Sequence, residues 1–191
     1  MRKYILIVLS IIPIFLFAQE DSLNLTLDKA FLFFQSRVEK NPKSPYANFG
    51  LARSYYLAKD YRAASAISKK FLNKNNEYRS DFNILYAMSL IALEQQGKAI
   101  DVLTSALVEF PDNCQMYYYR ALAYYKNSEL SRAFNDARKC VELKEEFYKA
   151  HLLLGIVMYE KSNDRNAAAP LIYALFRNAD SPWSNKVVFI I

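Results

Sequence analysis

The stretch SDFNILYAMSLIALEQQGKAIDVLTSALVEFPDN, residues 80–113, shows most clearly the pattern that decides the fold. Small residues stand at Ala87 and Ala99, and apolar residues continue a stripe at helical spacing after the second of them. Pro111 ends that stripe, and the polar residues 112–113 are suited to cap a following helix. The stretch therefore predicts two helices joined by a short turn.

The same spacing of small residues recurs along the chain, which indicates that one unit is repeated. One series, with spacings of 34, 35, 34 and 34 residues, comprises Ala30, Ala64, Ala99, Ala133 and Ala167. A second series, twelve residues earlier in each unit, comprises Ala52, Ala87, Ala121 and Gly155. Two antiparallel helices come closest where both carry small side chains, so each unit is expected to pair one residue from each series.

The repeat resembles the tetratricopeptide repeat, whose pattern places Leu-Gly, Tyr, Ala, Phe, Ala and Pro at set positions. The resemblance covers residues 45–181, and Leu154-Gly155 keeps the Leu-Gly pair intact. The chain departs from the pattern at Arg120, where Leu is usual, and at Glu145, where Pro is usual. The resemblance implies an all-α fold, a right-handed α-solenoid of about four antiparallel helix-hairpin repeats of 34 residues.

The register of the repeats predicts the domain organisation. Ser44-Pro45-Tyr46-Ala47-Asn48 opens the first unit, and the similar Ser181-Pro182-Trp183-Ser184-Asn185 starts a fifth. The predicted segments are a signal peptide (1–18), an N-terminal helix (19–44), four tetratricopeptide-like repeats over 45–181 (45–79, 80–113, 114–147, 148–181) and an incomplete fifth repeat (182–191). For the apolar residues 187–191, three readings stay open: a truncated product, packing on the preceding helix, or packing on a partner.

The first eighteen residues have the pattern of a secretory signal. Arg2 and Lys3 precede an apolar run over residues 4–17, and Ala18 offers a small residue at the cleavage point. The alternative is an uncleaved membrane anchor, although the run is shorter than the ~20 residues of a bilayer span and Pro13 interrupts it. We therefore expect an exported protein, periplasmic or secreted, in a bacterial cell envelope, with membrane contact only if the signal stays uncleaved.

Composition and motifs argue against several function classes. The chain carries a net charge of +6, but its basic residues are scattered, so we predict no nucleic-acid partner. The single histidine, His151, lies among apolar residues and is expected to pack in the core. The sequence has no phosphate-binding glycine loop, nucleophile elbow or metal-ligand spacing. We predict no catalytic residues, no metal and no cofactor, and hence no enzyme.

The resemblance also implies which residues face a partner, because the first helix of each repeat lines the concave face of such solenoids. The predicted set is largely apolar and aromatic with a few basic residues, as in peptide-binding surfaces. It comprises Tyr46, Phe49, Arg53, Tyr56, Ile84, Met88, Ile91, Tyr118, Leu122, Tyr125, Lys126, Lys149, Leu152, Ile156 and Tyr159. The alternative is that these rings pack between neighbouring helices or lie under the N-terminal helix. Apolar residues at the family's carboxylate-clamp positions make a free-carboxylate ligand a poor fit.

Two cysteines are expected to meet in the third repeat. If Ala121 and Ala133 form the closest contact, Cys114 and Cys140 lie seven residues away on the two antiparallel helices and come together. An exported protein can oxidise such a pair to a disulfide. The alternative is that both remain free thiols packed as small apolar side chains.

These observations favour a non-enzymatic adaptor or scaffold outside the cytoplasm that binds a segment of another protein in its concave groove. Two alternatives stay open. In the first, the chain is a structural assembly component that self-associates through its apolar C-terminal residues. In the second, it is the non-catalytic repeat portion of a longer protein.

Overall fold

The structure, a computed structural model, describes residues 26–162. Within that range the chain forms eight α-helices and no strand. The helices are α1 (26–40), α2 (Pro45–Leu57), α3 (Tyr61–Lys69), α4 (Arg79–Ala92), α5 (Gln96–Glu109), α6 (Cys114–Lys126), α7 (Leu130–Leu143) and α8 (Tyr148–Ser162). The predicted signal peptide, the second helix of the fourth repeat and residues 182–191 lie outside the described residues.

The helices pack as a row of stacked hairpins. From α2 onward each helix contacts the next, and α2, α4, α6 and α8 also contact one another in that order. Consecutive pairing combined with contacts between alternate helices is the arrangement of a helical solenoid. The predicted all-α hairpin architecture is therefore confirmed, while handedness and repeat number stay predictions.

Small residues of the two series are fully buried in the first three predicted pairs. Side chains in the first three predicted pairs are 0% exposed: Ala52 and Ala64, Ala87 and Ala99, Ala121 and Ala133. A larger side chain at any of these positions would have to push two helices apart. The fourth predicted pair, Gly155 with Ala167, includes a residue outside the described range.

Two helix starts follow their predicted caps. The Ser44 hydroxyl accepts a hydrogen bond from the Ala47 N–H at 3.3 Å, and Pro45 occupies the first turn of α2. The Asn113 side-chain oxygen accepts from the Met116 N–H at 3.2 Å and so caps α6. Each cap satisfies a backbone donor that the helix itself leaves without a partner.

The first hairpin differs from the others at the end of its second helix. Helix α3 ends at Lys69 and is only nine residues long, whereas α5 and α7 each have fourteen. Beyond its end the Phe71 ring stacks on Phe82 of α4, with ring centroids 4.6 Å apart. The connection is therefore anchored by a buried aromatic pair rather than by continued helix.

Helix α1 packs on α2 through a glycine. The Phe34 ring lies so close to Gly50 that a Cβ at that position would come within 2.2 Å of it. A second ring of α1, Phe31, meets Tyr55 edge-on at a centroid distance of 5.0 Å. The glycine is thus required by close approach, not by backbone conformation.

An ion pair joins α6 to α7 and reaches α5. The Arg120 guanidinium donates to both carboxylate oxygens of Asp136, at 2.6 and 2.9 Å, and to the Thr104 hydroxyl at 3.2 Å. The arginine that departs from the repeat pattern is therefore paired, and a bidentate geometry of this kind fixes the orientation of both side chains.

Candidate functional site

A cavity of about 480 Å³ lies between α6 and α8. It is named here the α6–α8 cavity, and it is lined by Tyr118, Leu122, Tyr125, Tyr148, Lys149, Leu152, Leu153 and Ile156. Its volume falls in the range of about 300–1,000 Å³ that is usual for ligand pockets. Most of its wall is aliphatic or aromatic, with one ammonium group.

Helical periodicity brings the lining residues together. Tyr118, Leu122 and Tyr125 follow one another at intervals of four and three residues, so they share one face of α6. On α8, Lys149, Leu152 and Ile156 follow at intervals of three and four residues and likewise share a face. Six predicted partner-facing residues thus line a single space.

Tyr118 is one of the aromatic residues that line the cavity. Its ring meets the Phe147 ring edge-on at 5.3 Å, and burial is the main reason that the pKa of its hydroxyl is raised above the usual 10.0. Neighbouring phenols, including Tyr56 of α2, raise the pKa further. Tyr118 therefore stays protonated and is not available as a base.

Tyr125 closes the cavity at the other end of α6. Its hydroxyl donates a hydrogen bond to the Glu160 carboxylate at 2.6 Å. That bond, together with partial burial and the carboxylate charge, raises the pKa of Tyr125 to about 12. The bond links α6 to α8 and fixes the position of the Tyr125 ring.

The predicted partner-facing residues of α2 lie in a different setting. Tyr46 is 48% exposed but touches Phe34 of α1, with ring centroids 5.7 Å apart. Phe49 stacks on Tyr78 at 5.6 Å, and Tyr56 is half-buried against Tyr61. These rings pack within the protein, one of them against the N-terminal helix, while Arg53 is exposed.

The predicted residues of α4 are largely enclosed. Ile84 and Ile91 are buried in the core shared by α4, α5 and α6, and Met88 packs against the same core. Little surface of Ile84 or Ile91 is left for a partner, because α4 is covered by helices on both sides. Lys126 and Tyr159 are exposed but do not line the α6–α8 cavity.

Two lining residues were not among those predicted from the sequence. Tyr148 stands four residues before Leu152, so the spacing of the helix already places it on the same face of α8. Leu153 is a core residue of which one edge borders the cavity. Helical spacing could therefore have predicted Tyr148 from the sequence. The position of Leu153 depends on how α7 and α8 pack, which the sequence pattern does not give.

The two cysteines belong to one buried cluster with Ala150 of α8. Cys114 begins α6 and Cys140 lies in the last turn of α7, so antiparallel packing brings both side chains into this cluster. Burial, followed by the neighbouring Cys114, raises the pKa of the Cys140 thiol. The structure has both as free thiols, and the predicted disulfide stays a prediction.

Other kinds of site find no support in the described part of the chain. His151 is buried, and its Nε2 lies 2.8 Å from the Glu145 carbonyl oxygen, in keeping with a core role. Among residues 26–162 no group of three or more His, Cys, Asp or Glu side chains is arranged to hold a metal ion. Over the same residues, none of the helices has the length and hydropathy needed to cross a bilayer.

Comparisons with known sequences match part of the chain. A family model described as "Anaphase-promoting complex, cyclosome, subunit 3" matches residues 24–106. The E3 ubiquitin-protein ligase CHIP of Arabidopsis thaliana is 32% identical over 82 residues. That match covers 43% of this chain and 30% of the plant protein, so the chain spans less than a third of its relative.

Solved structures extend the likeness over most of the chain. TTC0263, a thermophilic TPR protein of Thermus thermophilus, has a TM-score of 0.74 at 19% identity, covering 93% of this chain and 95% of that one. YrrB, described as a TPR protein with an unusual peptide-binding site, has a TM-score of 0.63 at 20% identity, with coverages of 91% and 89%. MamA 41-end from Desulfovibrio magneticus RS-1 has a TM-score of 0.67 at 21% identity, with coverages of 86% and 94%.

At such identities the structural likeness concerns the fold. It agrees with the repeat pattern read in the sequence and with the stacked hairpins that carry this pattern. The chain therefore has a fold of the tetratricopeptide repeat type, and its repeat pattern resembles that family.

Proposed function

We propose that the chain is a non-enzymatic adaptor outside the cytoplasm that holds a segment of another protein in the α6–α8 cavity and on the surface around it. The observation that carries the proposal is the convergence of six predicted partner-facing residues on one apolar space of about 480 Å³. Concave, mostly apolar spaces with a few polar groups are where proteins bind ligands and anchor residues.

The chemistry of the cavity supports binding rather than catalysis. The raised pKa values of Tyr118 and Tyr125 keep both phenols neutral at physiological pH, so neither serves as a ready general base. Neutral phenols beside aliphatic side chains are instead typical of interfaces, where a ring supplies contact area and its hydroxyl a hydrogen bond. The peptide-binding site in the description of YrrB is a property of that protein and lends the proposal support by analogy.

A variant that fills the cavity tests the proposal. Ile156→Trp places a large ring in the space without removing core side chains, and Val108→Trp adds the same ring on α5, where Val108 is 84% exposed. The chain would be expressed with its own N-terminus in an envelope fraction, cross-linked, and its partners identified. We expect a partner captured by the wild type and by Val108→Trp but reduced at least about tenfold with Ile156→Trp.

Two controls accompany this experiment. Circular dichroism must show equal helicity in all three proteins, and a Tyr118/Tyr125 double change to Ala should reproduce the loss. N-terminal sequencing checks export, because cleavage after Ala18 leaves Gln19 as the first residue. Equal capture by folded Ile156→Trp contradicts the proposal. Cross-links only between copies, abolished by deleting residues 181–191, favour self-assembly instead.

A further inference from the structure

The residues that line the α6–α8 cavity carry three phenol hydroxyls and one ammonium group as their polar side-chain groups. They are the hydroxyls of Tyr118, Tyr125 and Tyr148 and the ammonium group of Lys149. Among the described residues that form the lining, none carries a carboxylate. The wall is thus suited to accept an apolar side chain together with an acceptor group from a ligand.

Charge is distributed unevenly along the cavity. Lys149 stands in the first turn of α8, where the helix dipole adds a positive potential. Glu160, near the other end of α8, is eleven residues later and so about 16 Å away along the axis. Its carboxylate accepts the Tyr125 hydrogen bond and is not part of the lining, so Lys149 is the one charged residue of the described lining and makes the start of α8 the positive end of the cavity.

The positive end is not neutralised within the described part of the chain. No ion pair of Lys149 is found among residues 26–162, and its ammonium lies 6.0 Å from the centroid of the adjacent Tyr148 ring. The preceding acidic residue Glu146 pairs instead with Lys144 at 3.7 Å. A cation at the edge of an apolar cavity with no internal partner favours an anionic group on whatever binds there.

We propose that the α6–α8 cavity takes an extended protein segment in which a bulky apolar residue lies next to an aspartate or glutamate. The apolar side chain fills the space between α6 and α8, and the carboxylate contacts Lys149. This inference rests on the proposed function and adds the chemistry of the partner. It also sets the direction of the bound segment, since its acidic residue must lie at the start of α8, away from Glu160.

A peptide array tests the inference directly. Each peptide would carry Leu, Ile, Phe, Tyr or Trp beside Asp, Asn or Lys in an otherwise Gly/Ser sequence, and would be probed with the purified chain. We expect the Asp peptides to bind about five- to tenfold more tightly than their Asn counterparts, and the Lys peptides to bind most weakly. Fluorescence anisotropy on soluble copies of the best set then supplies dissociation constants.

Charge reversal identifies the group responsible. Lys149→Glu should invert the order of peptide affinities, so that Lys peptides bind best. The variant should remain stable, because an acidic residue near a helix N-terminus is favourable for folding. Lys139→Glu makes the same change of net charge at an exposed position on α7 and should leave the order unchanged. A general effect of net charge would instead change the order of peptide affinities in the same way in both variants.

The outcomes separate the inference from the proposed function. If Asp and Asn peptides bind equally and Ile156→Trp abolishes both, the acidic preference is wrong while the cavity remains a binding site. If no peptide binds, the inference is wrong, and the proposed function is then judged by the cross-linking comparison of Ile156→Trp with Val108→Trp. An Asp preference that survives Lys149→Glu also overturns the assignment.

Discussion

Among residues 26–162, three non-glycine residues have a left-handed backbone conformation, which side chains disfavour. Lys59, Glu94 and Ser128 have φ angles of 62°, 58° and 61°, each in the turn between the two helices of a hairpin. In each turn the next residue donates its N–H to a carbonyl five residues back, as at Gln95, whose N–H lies 2.8 Å from the Leu90 oxygen. This closure of the helix end requires the left-handed residue, a position where glycine is usual.

Glycine at these turns should therefore stabilise the protein. A non-glycine residue in the left-handed region costs about 1–2 kcal/mol, part of which is offset by the greater freedom of glycine in the unfolded chain. We expect Glu94→Gly to raise the free energy of unfolding by about 0.5–1 kcal/mol in urea titrations. Lys139→Gly, on an exposed position of helix α7, should lower it by about 1 kcal/mol. A destabilised Glu94→Gly would show that the Glu94 side chain makes a needed contact.

At the scale of elements, two pairs of side chains reinforce the contact between α6 and α7. The Arg120–Asp136 ion pair joins them near the middle, and the Cys114 and Cys140 thiols meet where α6 begins and α7 ends. Both features follow from antiparallel packing about the Ala121–Ala133 contact. The ion pair fixes the orientation of two side chains, whereas the two thiols can also form a covalent bond on oxidation.

Oxidation should link the two helices. Refolding with glutathione disulfide should form a Cys114–Cys140 bond, as the two thiols lose their protons and electrons and the reagent is reduced to two glutathione molecules. In the folded protein the reaction should be slow, because burial raises the pKa of Cys140 and lowers its thiolate fraction. Closing this loop should add about 3 kcal/mol to the free energy of unfolding. Mass spectrometry after alkylation in denaturant counts the thiols.

A Cys140→Ala variant is the matched control for that experiment. Alanine suits this tightly packed position, so the variant should fold and gain no stability from the oxidant. Two thiols still alkylated in the oxidised wild type would contradict the predicted disulfide.

Across the whole molecule, buried phenols tie stability to alkaline pH. Burial, with a smaller contribution from Tyr56, raises the pKa of Tyr119 to about 12. The Glu160 hydrogen bond does the same for Tyr125, and burial also raises the pKa of Tyr118. An unfolded chain loses these protons near the usual pKa of 10.0, before the folded protein does.

Stability should consequently be retained up to about pH 10 and lost as the pH rises from there towards 12. Urea titrations at successive pH values, with phenolate absorbance followed in parallel, measure this. Tyr125→Phe removes one of the groups concerned, so its stability should fall less steeply over that interval than that of the wild type. Equal slopes would show that the Tyr125–Glu160 hydrogen bond is not maintained in solution.

The sequence alone determined the hairpin architecture, the positions of the tight helix contacts and two helix caps. These features depend on a residue's own size or hydrogen-bonding group, as at Ala87, Ala99 and Ser44. They can therefore be predicted without knowing which residues lie nearby in space. Only the tertiary structure decided which bulky side chains are accessible. Equivalent repeat positions hold Ile84, enclosed between α2 and α6, and Tyr118, which borders an open cavity. That difference arises from how well successive helices fill the space between them, which is a property of side chains from separate repeats packed together.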